Sequence, residues 1–310
     1  MDGIFNVLKP PGMTSHDVIA FLRRALKTKK VGHGGTLDPD AAGVLPVFTG
    51  SATRLLEFAV EGRKQYIAEF TLGVQTDTGD DSGSIVKTMP VPPLDEAGLK
   101  EVLQQFTGVQ MQLPPMYSAI KINGQKLYQL ARRGVEVERT ARQIEVYKLE
   151  LLHWTADKFT VAVECSKGTY IRVLGEDIAA ALGSCGTMSF LLRTQVGCYE
   201  LADAHTLQEI AADPEGCLLP PVLAVAGMTQ LALTGRQAER ITNGVRTTVA
   251  AAAALAGRCV LIGPGGEFLG IGSAESGMVQ ADKIFAHYKA ENDKIKDNTT
   301  ETATQSVQGE

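Results

Sequence analysis

One carboxylate stands in a setting suited to chemistry. Asp38 lies in Val31-Gly-His-Gly-Gly-Thr-Leu-Asp-Pro-Asp-Ala-Ala-Gly-Val-Leu-Pro46. Pro39 pushes the residue before it into extended backbone. Gly34, Gly35 and Gly43 let backbone pass close to a ligand or take positive φ. Leu37, Val44, Leu45 and Val47 can root both arms of the loop in a core. The expected result is a rigid loop that presents Asp38 and His33 at the floor of a cleft, as preorganised chemistry requires. Loop composition by itself also fits a plain Asx turn. An ionised carboxylate in such a place can act as nucleophile or stabiliser of positive charge, or can remove a proton.

Other groups are spread along the chain and need elements to bring them to Asp38. Residues 3–8 read as a short buried strand that runs into the turn Lys9-Pro-Pro-Gly12. Thr14 or Ser15 can cap the next helix, whose Val18, Ile19, Leu22, Ala25 and Leu26 fall at helical spacing. Arg23, Arg24, Lys27, Lys29 and Lys30 crowd its end, where they complement the helix dipole or touch phosphate. Residues 49–58 are expected to begin another helix. Lys64 to Leu72 alternates as a strand, with Tyr66, Ala68, Phe70 and Leu72 on one face. The polar turn Gly73-Val-Gln-Thr-Asp-Thr-Gly-Asp-Asp-Ser-Gly83 follows; Asp77 and Asp80 are read as support for the cleft wall rather than as a metal loop.

A helix is expected over 94–106, and then comes the most basic stretch, 108–142. It interleaves Tyr117, Lys121, Lys126 and Tyr128 and ends a short helix in Arg132-Arg133-Gly134, a pattern able to stack bases and hold phosphates. Residues 144–154 and 159–165 alternate as two adjacent strands. Cys165-Ser-Lys-Gly-Thr-Tyr-Ile-Arg172 then leads into a helix with Ile171, Leu174, Ile178 and Leu182 on its apolar face. A half-buried Arg172 there needs a carboxylate partner. From 226 onward glycine turns separate short apolar stretches, a small β-rich domain by pattern; Val249-(Ala)5-Leu255 reads as a connector. Residues 290–310 lack aromatics and are expected to be a disordered tail.

Bulk properties narrow the classes. At 310 residues, with 44% hydrophobic and 21% charged, one large domain plus a small one is expected. No apolar run nears the roughly 20 residues of a membrane span, and Met1-Asp2-Gly3 opens no signal peptide. Five cysteines without a Cys-x-x-Cys pair fit a reducing cytoplasm and argue against disulfides or zinc. The net charge of −5 is unevenly distributed. Residues 1–64 hold nine Lys/Arg against six Asp/Glu, residues 112–148 seven against three, and residues 200–310 eight against fourteen. Two basic stretches in an acidic chain suit a localised phosphate-binding face.

Gly32-His33-Gly-Gly-Thr-Leu-Asp38-Pro-x-Ala-x-Gly43-x-Leu-Pro46 resembles the active-site signature of the TruB family, the bacterial synthases that make pseudouridine at tRNA position 55. Lys9-Pro-Pro-Gly12, the Lys64-x-Tyr66 strand with its Gly-x-x-Thr-Asp-Thr turn, Lys167-Gly-Thr-Tyr-Ile-Arg172 and Ser189-Phe-Leu191-Leu-Arg193-Thr-Gln-Val-Gly197 follow in the family's order. Leu192 stands where many relatives have Arg. The resemblance implies catalytic roles for Asp38, Tyr66 and Arg172, with Arg172 pairing Asp38 and keeping it ionised by lowering its pKa. It implies substrate contacts at His33, Tyr170, Leu191, Lys9, Lys121, Arg132 and Arg133, with His33 filling the stack left by a flipped uridine. The 108–142 stretch resembles the family's RNA-closing insertion, and residues 259–285 resemble the end of a PUA-like RNA-binding barrel.

The expected architecture is therefore an α+β catalytic domain over 1–225, with a mixed, mostly antiparallel sheet, flanking helices and a cleft, then a PUA-like domain over 226–289. The implied partner is the T-arm of tRNA, with no cofactor, metal, membrane or obligate protein partner, and a monomer. The alternative is a tRNA-binding or folding protein in which chemistry is secondary. A phosphate-binding loop at His33-Gly-Gly-Thr36 lacks the Walker spacing.

Overall fold

The structure is a computed structural model; it describes residues 1–59, 62–122 and 124–289. The expected tail at 290–310 lies outside the described residues. The chain divides into two compact units, Met1–Ala224 and Val225–Glu310. Among the described residues no helix is long and apolar enough to cross a membrane.

The first unit opens with β1 (Gly3–Lys9), α1 (Ser15–Ala25), β2 (Val31–His33) and β3 (Ala42–Thr49). The helix expected after Thr49 begins as a 3-10 helix, Gly50–Leu55, and continues as one turn of α2 (Leu56–Ala59). Next come β4 (Lys64–Leu72), the hairpin β5 (Val74–Thr76) and β6 (Ile85–Thr88), α3 (Glu96–Gln105) and β7 (Gly108–Gln112). The basic stretch that follows holds two short strands, β8 (Lys121–Ile122) and β9 (Gln125–Lys126), and α4 (Leu127–Ala131). Strands β10 (Arg142–Trp154) and β11 (Lys158–Cys165), helix α5 (Ile171–Ala181), strands β12 (Gly186–Val196) and β13 (Tyr199–Glu200), and α6 (Leu207–Ala212) complete it.

Seven strands form the path β1-β3-β12-β4-β11-β10-β7, with β2 joined to β3 and β13 to β12. All pairings are antiparallel except β12 with β3, so the mixed, mostly antiparallel sheet is as expected. In β4 the side chains of Tyr66, Ala68, Phe70 and Leu72 are all buried, as the alternation requires. They join Leu37, Ile171, Leu174 and Leu191 in the larger core, under α3 and α5. A second core on the β1 side joins Phe5 and Val7 to Val18 and Leu22 of α1 and to Val31, Leu45 and Val47.

Strand β3 is where the sheet splits. Its first residues pair with β12, Ala42 with Leu192 and Gly43 with Arg193. Its last residues pair on with β2, from His33–Val47 to Val31–Thr49. Pro46, with no N–H to give, sits at the changeover, where its carbonyl accepts from Gly34 N (2.8 Å). The loop between His33 and Ala42 emerges from that gap; its flanks Val31, Leu45 and Val47 lie in the second core, and its Leu37 and Ala41 lie in the larger one.

The second unit is β14 (Gln230–Ala232), α7 (Gly235–Thr242), β15 (Thr247–Thr248), β16 (Gly257–Ile262), β17 (Phe268–Glu275) and β18 (Met278–Ile284). The strands order as β14-β16-β17-β18-β15 and leave two open ends, a half-barrel. Val249 and Ala252 of the alanine run are buried in its core, so that run does more than connect.

Candidate active site

The Asp38 loop is held from three directions. Arg193, 1% exposed on β12, donates to Val44 O (2.7 Å), Thr36 O (3.2 Å) and Gly35 O (3.3 Å). Ser15, in the first turn of α1, binds both backbone groups of Leu37: its Oγ accepts from Leu37 N (2.9 Å) and donates to Leu37 O (3.0 Å). Thr14 is the N-cap that starts this helix, through a capping box with Asp17. Pro39 O accepts from Gly12 N (3.0 Å) and from Lys9 Nζ (2.8 Å). The carbonyls at 35, 36, 37 and 39 are thus all engaged, which fixes the peptide that carries Asp38. Gly43 takes φ +112° directly against Arg193, where a Cβ would overlap the Arg193 backbone.

Arg172 meets Asp38 with two nitrogens: Nε to Oδ2 at 3.1 Å and Nη2 to Oδ1 at 3.4 Å. The guanidinium side chain is 6% exposed, the Asp38 side chain 34%. Arg172 also reaches Thr78 O (2.6 Å), Tyr117 O (2.9 Å) and, at 3.6 Å, Asp80 Oδ2. Arg172 therefore ties the Asp38 loop to the 77–84 turn and to the root of the basic stretch. Asp80 Oδ1 accepts from the Thr78 and Ser82 hydroxyls, which keeps that turn closed. The helix that delivers Arg172 starts without a side-chain cap of its own. Gln112 of β7 pins the N-cap residue from outside, donating to Tyr170 O (3.0 Å) and accepting from Tyr170 N (2.8 Å).

The electrostatics depart from expectation at Asp38. Burial pushes its carboxyl above the ordinary carboxylate range, and the opposing pull of Arg172 does not cancel that push. Asp80 adds to the rise. The expected lowering counted the ion pair but not the loss of water around the group; the third of the side chain still open to the cleft tempers the rise. Tyr66 is 7% exposed, and burial pushes its hydroxyl up to about 12, against the positive charge of Arg193, its cross-strand neighbour. It is a protonated phenol at neutral pH. Burial brings the His33 imidazole down to about 4, with the charges of His16 and Arg193 acting the same way. His33 is therefore a neutral ring, edge-on to His16 at 5.9 Å between centroids.

A cleft of about 240 Å³ opens over Asp38, lined also by Ala41, Asp80, Met188, Phe190 and Leu191. Asp38, Arg172 and Leu191 thus come together as read from the sequence. Tyr66 stands behind the lining on β4. Tyr170 is half-buried at the start of α5. Lys9 is placed differently from the expected RNA contact: it is fully buried, its ammonium spent on Pro10 O and Pro39 O, both at 2.8 Å. Burial brings it down to about 8. Lys121, Arg132 and Arg133 are exposed on the insertion, away from the cleft lining. Arg193 and Gln112 were not singled out from the sequence. The available signal for Arg193 was its place two residues beyond Leu191 on the same strand face, where a buried guanidinium needs several acceptors.

Residues 23–171 match the model for the TruB family pseudouridylate synthase N-terminal domain, and residues 172–216 that for the tRNA pseudouridylate synthase B C-terminal domain. The chain is 48% identical over 251 residues to tRNA pseudouridine synthase B of Moorella thermoacetica, covering 78% of this chain and 82% of the relative. It is 45% identical over 289 residues to the protein of that name from Caldanaerobacter subterraneus subsp. tengcongensis, covering 92% and 99%. A solved chain from a Cbf5-Nop10-Gar1 complex superposes with a TM-score of 0.72 at 26% identity, covering 92% of this chain and 85% of that one.

Proposed function

The chain belongs to the TruB family of pseudouridylate synthases, and from that premise we propose that it isomerises the T-loop uridine of tRNA, position 55, with Asp38 as its reacting carboxylate. The observation that carries the reading is the Asp38–Arg172 pair on the floor of an open cleft, on a loop whose carbonyls are held from three sides.

Pseudouridine and uridine are isomers. The N1–C1′ bond breaks, the uracil turns, C5 joins C1′, C5 loses its proton and N1 gains one. Nothing is oxidised and no group is donated, so the conversion asks for no cofactor. Asp38 adds to the base, captures C1′ or removes the C2′ proton, and each route begins from the carboxylate. Arg172 holds that carboxylate toward the cleft and opposes its protonation. Tyr66, a phenol that keeps its proton, is suited to hold the turned uracil or pass a proton on. A stacked uridine must first leave the loop, at a cost of a few kcal/mol. The neutral ring of His33 is suited to take its place in the stack, since an uncharged imidazole is cheaper to enclose between bases than an imidazolium. Lys121, Arg132 and Arg133 give the insertion a cationic surface for the phosphates of the T-arm.

The test is chemical mapping of pseudouridine along an unmodified tRNA transcript after incubation with the protein. The expected result is one new pseudouridine, in the T-loop. Product at another stem-loop would overturn the assigned position, and binding without product would favour the tRNA-folding reading.

A further inference from the structure

We propose that Phe190 is a stacking platform for a base beside the target uridine, an inference that rests on the function proposed above. Phe190 is a large aromatic left 47% exposed on a strand of the main sheet. In a regular strand, neighbours such as Phe190 and Leu191 point to opposite faces. Here both line the cleft that holds Asp38. A register slip of β12 against β4 lies between Met188 and Phe190, the kind of bulge that re-aims a side chain: Met188 pairs with Phe70 and is buried, whereas Phe190 pairs with Glu69 and is exposed. Ser189 is fixed at the slip: its Oγ donates to Glu69 Oε1 (2.8 Å), and the same carboxylate oxygen pairs with Lys158 Nζ (2.9 Å). The bulge thus takes Phe190 off the buried face that Met188 occupies and leaves its ring exposed at the cleft that holds Asp38.

The charge around the ring decides what it meets. Asp38, Asp40, Asp80 and Asp81 line the same cleft. A phosphate brought among four carboxylates would be repelled. The flat face of a base carries no net charge, stacks on phenylalanine, and can turn amino or ring N–H donors toward the acidic wall. The occupant is therefore a nucleobase of the same RNA, next to the uridine that Asp38 attacks.

The test uses full-length protein and T-arm stem-loop RNAs, one unaltered and others with an abasic nucleotide at each position flanking the target. Pseudouridine formation is followed with wild type, F190A and F190W, and thermal melting checks folding. On unaltered RNA, F190A is expected to raise KM roughly five- to hundredfold, the range that one stacked base contributes, while F190W stays near wild type and all melt alike. One abasic RNA should be equally poor for wild type and F190A, which identifies the stacked base. Unchanged KM in F190A, or an equal loss on every RNA, would overturn the platform while leaving the synthase reading intact. Absence of product with wild type on unaltered RNA would sink both.

Discussion

Asp38 is pulled in two directions, and the balance has a kinetic consequence. Burial favours its protonated form and Arg172 its ionised form, with burial the larger. The proposed reaction needs the carboxylate, so activity should fall as pH drops through the raised pKa. The acidic limb of kcat/KM should then lie above the value near 3.9 of a free aspartate. Arg172→Met removes the opposing charge and should move that limb up by about 1–3 units while lowering the plateau. A limb that stays put would mean that Arg172 does not set the charge of Asp38. Tyr66→Phe keeps the ring but loses the hydroxyl; a fall in kcat of about 10²–10⁴ is expected if that group moves a proton, with RNA affinity unchanged. Asp38, Arg172 and Leu191 were legible because each sits in a motif with restricted neighbours. The direction of the Asp38 shift was not, because it depends on how residues 38, 80 and 172 are enclosed together. The burial of Lys9 was hidden for the same reason: its acceptor Pro39 O is fixed by the loop, not by the local sequence.

At the scale of elements, the split strand β3 and the first turn of α1 govern the loop. Gly43→Ala forces a side chain onto the Arg193 backbone at φ +112° and should cost about 3 kcal/mol or more. A fall in Tm on the order of 10 °C would register it. Ser15→Ala leaves both backbone groups of Leu37 without their buried partner and should cost about 1–3 kcal/mol. Because Leu37 precedes Asp38, kcat should fall along with stability; a loss of stability at full kcat would show that the loop tolerates slack. Strand β4 was legible from strict alternation, and α1 from a cap at Thr14 or Ser15 and its apolar spacing. The parallel register of β3 with β12 was not: those strands lie some 150 residues apart, and only the close approach of Gly43 to Arg193 records their pairing. The helix after Thr49 was legible, but not that it would open as 3-10 over Gly50–Leu55, where Gly50 at φ +59° lies outside the helical region.

For the molecule as a whole, an acidic chain that binds RNA must do so through local basic surface. The logarithm of affinity should fall linearly with the logarithm of salt concentration. Replacing Lys121, Arg132 and Arg133 together by Ala should reduce that slope by about 2, at roughly 0.7–0.9 for each phosphate no longer neutralised, and leave the rate on bound RNA unchanged. An unaltered slope would remove the insertion from the phosphate-binding face. Composition made the second unit visible as a small β-rich body, while the open ends of its sheet follow from pairings that short strands such as Thr247–Thr248 do not announce. The central claim is that Asp38 performs chemistry rather than shaping a binding site. Its most direct test is single-turnover pseudouridine formation by wild type and Asp38→Asn on the same unmodified tRNA, with the affinity of each for that RNA measured in parallel. The expected result is product with wild type and none with the variant at comparable affinity; product from Asp38→Asn at a similar rate would contradict the account.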